Sequence, residues 1–344
     1  MRPLLVTLCL ALAACATGGE RSGELRLFKL EDPAMGTMFR ASIYARDAEE
    51  AATAWEAAMA RVAAIEAVAS DYDAESELRE LCERPVGEWT RVSADLSALL
   101  LRSRELSEMT DGAFDPSVGP YVRLWRRARR AVELPDAERL SEAASSVGME
   151  HLELSADRAR LLVDGMRLDL GAIAKGYALD EALSVLNGCG LHRALIDGGG
   201  DVLAGAPPPN ASGWVVAVSP LGADGPAWAL ELNRQAVATS GDASQFVVIE
   251  GERYSHIVDP RSGWALVGSR AATVIAPDGA TADALASAVC VMGEDGVSLL
   301  GPPPGVEACY WGSGFAHEGA CATKGLGWMM APPPEHEDTS PRVP

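Results

Sequence analysis

The stretch LDLGAIAKGYALDEAL, residues 168–183, decides how the chain is read. Upstream, RLLVDGMRLDL (160–170) has the alternation of a β-hairpin turned at Asp164-Gly165. Downstream, Ala178, Ala182, Val185 and Leu186 recur at helical spacing, and Gly188 closes the run. A lysine beside a glycine therefore opens a helix directly after a strand. Lysine is scarce here, with only Lys29, Lys175 and Lys324. As a compact point charge it suits phosphate, where arginine presents a planar fork. Lys175 lies three residues before Ala178, at the edge of the buried face, where its ammonium can reach a cleft. A surface lysine near a helix start is the plainer alternative.

The rest of the chain sets the frame. Its 344 residues are 48% hydrophobic and 23% charged, the composition of a folded globule rather than a disordered chain. A formal net charge of -20 argues against nucleic acid, which demands a basic footprint. An acidic protein that handles phosphates needs a local cation or a divalent ion to do so. At the N-terminus, Arg2 precedes the apolar run PLLVTLCLALAA, with small residues before Cys15, the layout of an export signal. LAAC (12–15) resembles a bacterial lipobox, which would make Cys15 a lipidation site on the periplasmic side of a bacterial membrane. The apolar run is too short for a comfortable span. No CxxC or Cys/His spacing suggests zinc or iron–sulfur chemistry. In an exported compartment, Cys309 with Cys321 is the candidate disulfide.

FRASIYA (39–45) alternates as a strand, and residues 48–69 and 96–112 carry helical periodicity. RALIDGGGDVLAGA reads as strand, glycine turn and strand, and WVVAVS, WALELN, AVATSG and QFVVIEGERYSHIVDP continue as strands. TADALASAVCVMG (281–293) is a helix stopped by Gly293. Helices lie early and antiparallel strands late, which predicts an α+β fold, mostly antiparallel sheets with surrounding helices.

Several segments carry candidate chemistry. Asp283 and Ser287 are four apart on one helical face, and their hard oxygens suit magnesium. A solvated aspartate and a serine bonded to its own backbone are the bland reading. RYSHIVDPRSG places His256 at a strand end, where histidine can move protons near neutral pH. DGAFDPSVGP (111–120) is a rigid loop that could hold an aromatic ring or simply join two elements. GAIAKG lacks the Ser/Thr of a Walker A loop, and DGGGDVLAG lacks a Rossmann third glycine.

In order, AMGTMFR, SDYDAESEL, GAFDPSVGP, LDLGAIAKGYALD, DGGGDVLAG, VATSGD, YSHIVDPRSG and ADALASA resemble the FAD:protein FMN transferase family (ApbE-type) over roughly residues 33–300. The resemblance implies an enzyme that takes FAD and Mg2+ and transfers FMN to a threonine or serine of a target flavoprotein, such as a subunit of a membrane redox complex, releasing AMP. It implies flavin and adenosine contacts at Met35, Tyr72, Ala113, Phe114, Asp115, Lys175, Ala178, His256 and Ile257. It implies metal ligation by Asp283, the Ser287 hydroxyl and the Ala172 carbonyl, with His256 or Asp283 managing the acceptor proton. A magnesium-dependent FAD pyrophosphatase and a non-catalytic FAD-binding lipoprotein are the alternatives. The chain departs from the family in having Ser287 where threonine is usual, and Ala243-Ser244 where an aromatic residue commonly follows SGD. The domain reading is a signal peptide at 1–14, a lipidated tether at 15–30, one domain at 31–331 and a proline-rich disordered tail at 332–344.

Overall fold

The computed structural model describes residues 24–222, 228–243, 245–299, 305–312 and 320–321. The signal peptide, Cys15 and the tail at 332–344 lie outside the described residues. Chain order begins with β1 (Arg26–Ala34) and β2 (Thr37–Ala45), joined by Met35-Gly36. Both turn residues have positive φ, 49° and 71°, the two-residue hairpin geometry that follows the strand twist. Residues 26–30, read from sequence as tether, form the first half of β1 and pair with residues 41–45. β1 is an edge strand with most side chains exposed, so its hydropathy alternation is too weak to mark it.

Helices follow: α1 (Ala48–Ala69), capped by Asp47 onto the Glu50 N–H, then α2 (Glu77–Cys82). Next come β3 (Thr90–Arg91), α3 (Ala94–Met109), α4 (Gly119–Ala131) and α5 (Ala137–Ala144). The hairpin expected around Asp164-Gly165 sits one step earlier, as β4 (Leu152–Ser155) and β5 (Arg158–Leu161). Gly165 does turn, at φ 78°, but residues 166–170 run on without a strand partner of that kind. Their backbone is satisfied by the 111–120 loop instead: Arg167 bridges Val118, and Asp169 N–H donates to Pro116 O at 2.7 Å. Alternating burial of Met166, Leu168 and Leu170 mimics a strand in sequence. The next helix, α6 (Ala174–Gly188), is therefore entered from a loop and not from a strand.

The second half is the strand-rich part: β6 (Ala194–Gly198), β7 (Asp201–Ala204), β8 (Trp214–Val218), β9 (Trp228–Leu232), β10 (Ala236–Gly241), β11 (Phe246–Ile249), β12 (Glu252–Val258), β13 (Ala265–Val267) and β14 (Arg270–Ala276). It ends with α7 (Gly279–Met292), α8 (Glu294–Leu299), β15 (Glu307–Gly312) and β16 (Ala320–Cys321). One sheet runs β1-β2-β6-β7-β10-β14-β15-β16, with antiparallel pairing throughout. The α+β reading holds.

Its central strands are buried on both faces. On β14, Ala272, Val274 and Ala276 enter the main core under α1, α3, α6 and α7, while Ala271 and Ile275 point the other way. That second face is covered by the β8–β9 hairpin through Trp214, Val216, Leu230 and Leu232. Period-2 alternation thus sorts residues between two cores rather than between core and water. A third cluster, from Tyr121, Trp125, Leu140, Val258 and Ala265, joins α4 and α5 to the small β11-β12-β13 sheet. Cys309 is disulfide-bonded, and the β15–β16 register puts Cys321, the partner named from sequence, directly opposite it.

The tightest contact lies between α6 and α7. A β-carbon on Gly176 would collide with the Gly279 carbonyl, and one on Gly279 with the Gly176 carbonyl. The helices touch backbone to backbone there. Gly176→Ala should lower stability by about 1–3 kcal/mol, because neither backbone can yield to an added methyl. Gly188→Ala on the same helix meets nothing within 4 Å and should not destabilise. Thermal melts of the two variants check this; equal melting temperatures would show that the crossing tolerates a side chain.

Candidate functional site

The crossing brings the start of α6 against the first turns of α7, and each helix caps the other. Ala174 N–H, the first of α6, donates to Leu170 O (2.8 Å), and Tyr177 N–H donates to Ile173 O (3.0 Å). Gly176 N–H, which in a continued helix would return to the Ala172 carbonyl, donates instead to Asp283 Oδ2 at 3.2 Å. Ala172 thereby keeps a carbonyl without that helical bond. In the other direction, Asp180 of α6 accepts from Gly279 N–H (2.6 Å) and Ala280 N–H (3.0 Å) at the α7 start. Burial still pushes the Asp180 carboxyl up to about 7, against these backbone donors.

Lys175 occupies the angle between the helices. Its ammonium forms an ion pair with Asp201, at the start of β7, and lies 3.6 Å from Asp283 Oδ2. Burial disfavours the ammonium, but Asp283 and Asp201 together outweigh it and raise its pKa. Asp283, 3% exposed, is raised by burial and by the Asp201 charge, against the pull of Lys175. Lys175 is therefore already engaged by acids of this chain, and the trio leaves a surplus of carboxylate rather than of cation. Asp201 was not among the residues singled out from sequence, although it sits in the quoted DGGGDVLAG. Only the fold reveals that β7 begins beside the helix crossing.

Ser287 lies one turn after Asp283, half-buried, with its hydroxyl 2.9 Å from the Ser240 hydroxyl of β10. The rotamer restraint that a threonine methyl would provide is supplied here by that hydrogen bond. Asp283, Ser287 and the Ala172 carbonyl are all oxygen donors. No group of three or more His, Cys, Asp or Glu side chains suited to a metal occurs among the described residues.

The expected ligand contacts divide into two sets. Met35 stands at the β1–β2 turn, with its N–H donated to Glu66 Oε2 at 3.0 Å. Tyr72 is 81% exposed, and the Arg126 guanidinium lies 4.3 Å from its ring centroid. Arg126 pairs in turn with Asp71 (2.5 Å) and Asp169 (3.3 Å), tying the Tyr72 loop to the entry of α6. Asp169 is a second residue missed in sequence, where LDL reads as the end of a strand. In contrast, Ala113, Phe114 and Ala178 are packed in the main core. Asp115 is buried, its Oδ1 accepting from Ser117 N–H at 2.7 Å, and burial raises its carboxyl. A groove of about 900 Å³ runs past Asp115 between Trp89, Arg104 and Glu150, but contains none of Lys175, Asp201, His256 or Asp283.

His256 and Ile257 lie on β12, which packs against both α4 and α7. Trp125 anchors this strand pair to α4, stacking 5.3 Å from Tyr254 and donating its Nε1–H to Gly263 O at 2.8 Å. His256 Nδ1 lies 3.2 Å from Gln245 O, a carbonyl that requires Nδ1 to carry the proton and leaves Nε2 as acceptor. Burial, with Arg129 and Lys175 nearby, lowers its pKa and favours this neutral form. The helix crossing thus carries a carboxylate-rich apex of Asp283 and Asp201 around Lys175 with the Ser287 hydroxyl one turn on, while the Tyr72–Arg126 pair is tied through Asp169 to the entry of α6.

A family model described as the ApbE family matches residues 35–310. An FAD:protein FMN transferase of Treponema pallidum is 30% identical over 325 residues, covering 89% of each chain. One from Haemophilus influenzae is 28% identical, covering 85% of this chain and 86% of its own. Among solved structures, the ApbE protein of Thermotoga maritima superposes with a TM-score of 0.79 at 30% identity, over 89% of this chain and all of its own. Apo flavinyl transferase ApbE of Pseudomonas stutzeri gives 0.78 at 26% identity, over 90% and 99%. With its order of motifs, its antiparallel sheet and its helix crossing, the chain belongs to the ApbE family.

Proposed function

We propose that the protein is an FAD:protein FMN transferase. An acceptor threonine or serine oxygen attacks the phosphorus of the FMN half of FAD, the bond to the AMP phosphate breaks, and AMP leaves. The hydroxyl proton passes to Nε2 of His256. The observation that carries this reading is the buried Asp283, held by Gly176 N–H and flanked by Lys175, Asp201 and the Ser287 hydroxyl, within a family whose curated members bear that activity. Phosphoryl transfer asks chiefly for positioning and charge neutralisation, which such a constellation can provide.

The donor set fits magnesium. Asp283, Ser287 Oγ and the Ala172 carbonyl would hold it, since that ion takes one or two carboxylates and completes its shell with water and substrate phosphates. When bound, it supplies positive charge to the pyrophosphate oxygens. Lys175 keeps Asp283 and Asp201 close together without consuming both negative charges. His256 is oriented by Gln245 O to present its unprotonated nitrogen. The sequence layout around Cys15 supports lipid anchoring on the periplasmic side of a membrane, where an acceptor subunit of a membrane redox complex would be met.

Incubating the protein with FAD, Mg2+ and a flavoprotein subunit bearing an acceptor threonine should give a band with covalent flavin fluorescence and equimolar AMP. FMN and AMP without labelled protein would make it a pyrophosphatase, and unchanged FAD a binding protein. Asp283→Asn keeps an oxygen for the Gly176 N–H yet removes the charge, so labelling should fall about 100-fold or more with little change in melting temperature. Ser287→Thr should keep activity, because the hydroxyl remains. Full labelling by Asp283→Asn at limiting magnesium would remove this helix from the reaction.

The pH profile tests His256 separately. Its folded pKa is lowered, so the basic form persists below the ordinary histidine value of about 6.5. Activity should therefore fall on the acid side only below that value, and His256→Gln should abolish that limb. The unfolded chain binds the proton more readily, so this group also removes stability as pH falls towards the folded value. An acid limb unchanged in His256→Gln would assign the proton transfer elsewhere.

A further inference from the structure

His256 sits where the ladder to β13 is broken. β12 pairs with β13 at Tyr254↔Val267 and Val258↔Ala265, and the register shifts between those two points. On the other edge the β11 ladder ends at Phe246↔Ser255. One step beyond it, Gln245 O accepts from the His256 backbone N–H (3.1 Å) and faces Nδ1 of the ring at 3.2 Å. One carbonyl therefore sets both the backbone and the tautomer of His256. Gln245 is itself exposed, so packing does not fix where that carbonyl points.

An ion pair across the hairpin does. Arg253 of β12 donates from Nε to Asp242 Oδ2 (2.8 Å) and from Nη2 to the Asp242 backbone carbonyl (2.6 Å), gripping side chain and main chain of one residue. The same guanidinium lies 3.5 Å from the centroid of the Phe246 ring. It thus holds the chain on both sides of Gln245. Asp242, 1% exposed, is anchored in turn to the entry of β14, its Oδ1 accepting from Arg270 N–H (3.0 Å) and the Ser269 hydroxyl (3.3 Å). A buried carboxylate with donors on both oxygens keeps its geometry, and breaking one contact disturbs the rest. We propose that the Asp242–Arg253 pair positions the proton acceptor: it holds the Gln245 carbonyl on Nδ1 of His256, so that the ring presents Nε2 to the acceptor hydroxyl. The proposal rests on His256 being that acceptor. Both residues act through one backbone oxygen rather than on the reacting atoms.

Asp242→Asn keeps the shape and an oxygen for Arg270 N–H, but it turns an amide towards Arg253 and opens the pair. Arg253→Lys keeps the charge and is the conservative control. On the full chain, ring 15N NMR of His256, assigned with His256→Gln, reads the tautomer without turnover. Neutral wild type should carry its proton on Nδ1, Asp242→Asn should show both tautomers, and Arg253→Lys should stay nearer wild type. In covalent flavin labelling, Asp242→Asn should lower kcat about tenfold or more while KM for FAD changes less than about threefold. Added to His256→Gln, the same substitution should cost less than about twofold, because the group it positions has gone. Arg253→Gln opens the pair from its more exposed end and is read in the same way if Asp242→Asn melts early. A pure Nδ1–H tautomer in the opened pair would overturn the proposal. So would equal losses of labelling in the wild-type and His256→Gln backgrounds, which would mark the pair as merely structural. A wild type that labels no acceptor would instead overturn the transferase reading, while the ring spectra still decide what the pair holds.

Discussion

Everything at the site depends on two glycines that let two helices meet without side chains between them. With a β-carbon at Gly176 or Gly279, α6 and α7 would have to separate, and the reciprocal capping would open. That capping is the reason the close approach is stable. The N–H groups that each helix start leaves unsatisfied are met by a carboxylate of the other helix, Asp283 for Gly176 and Asp180 for Gly279 and Ala280. Asp283 is thus placed by backbone geometry, while its other oxygen and its charge remain available for chemistry. A carboxylate used as a helix cap and then again at a site can be oriented more tightly than one on a loop.

The electrostatics follow from that geometry. Burial of Asp283 and Asp201 near one another would be costly, and Lys175 offsets it by sitting between them. Lys175 is therefore the internal counter-ion of Asp201 and Asp283. With Lys175 engaged by Asp201 and Asp283, charge complementary to a phosphate would have to come from elsewhere. Burial of His256 on β12, with Arg129 of α4 and Lys175 of α6 as nearby cations, lowers its pKa and favours the neutral form. A neutral imidazole with Nδ1 tied to a carbonyl is the state required of a proton acceptor.

The large sheet is the platform. Because its central strands face a helical core on one side and the β8–β9 hairpin on the other, β7, β10 and β14 are fixed from both faces. The ends of β7 and β10 deliver Asp201 and Ser240 to the helix crossing, one as partner to Lys175 and the other to Ser287.

Much of this was legible in the chain. Helical periodicity located α1 and α6 with their ends, the glycine-rich stretch located β6 and β7, and the strand-rich second half set the α+β class. The spacing of Asp283 and Ser287 on one helix face, and the order of the motifs, pointed to the site and the family. These are local properties, dictated by periods of 3.6 and 2.0 and by turn residues. What the chain could not show by itself depends on contacts between segments far apart in sequence. Edge strand β1 has no buried face to advertise it, and residues 166–170 alternate like a strand although their hydrogen-bond partners lie in the 111–120 loop. Nothing local in the sequence marks Gly176 as the point where Gly279 packs against it. Phe114, on a loop in the sequence, is packed in the core, whereas Asp201 and Asp169 acquire their meaning only from the charges that folding places beside them. Sequence determined which elements form and which side chains carry chemistry; tertiary structure decided which of those charges are neutralised internally and which are left for a ligand, because pairing is settled by distance in space.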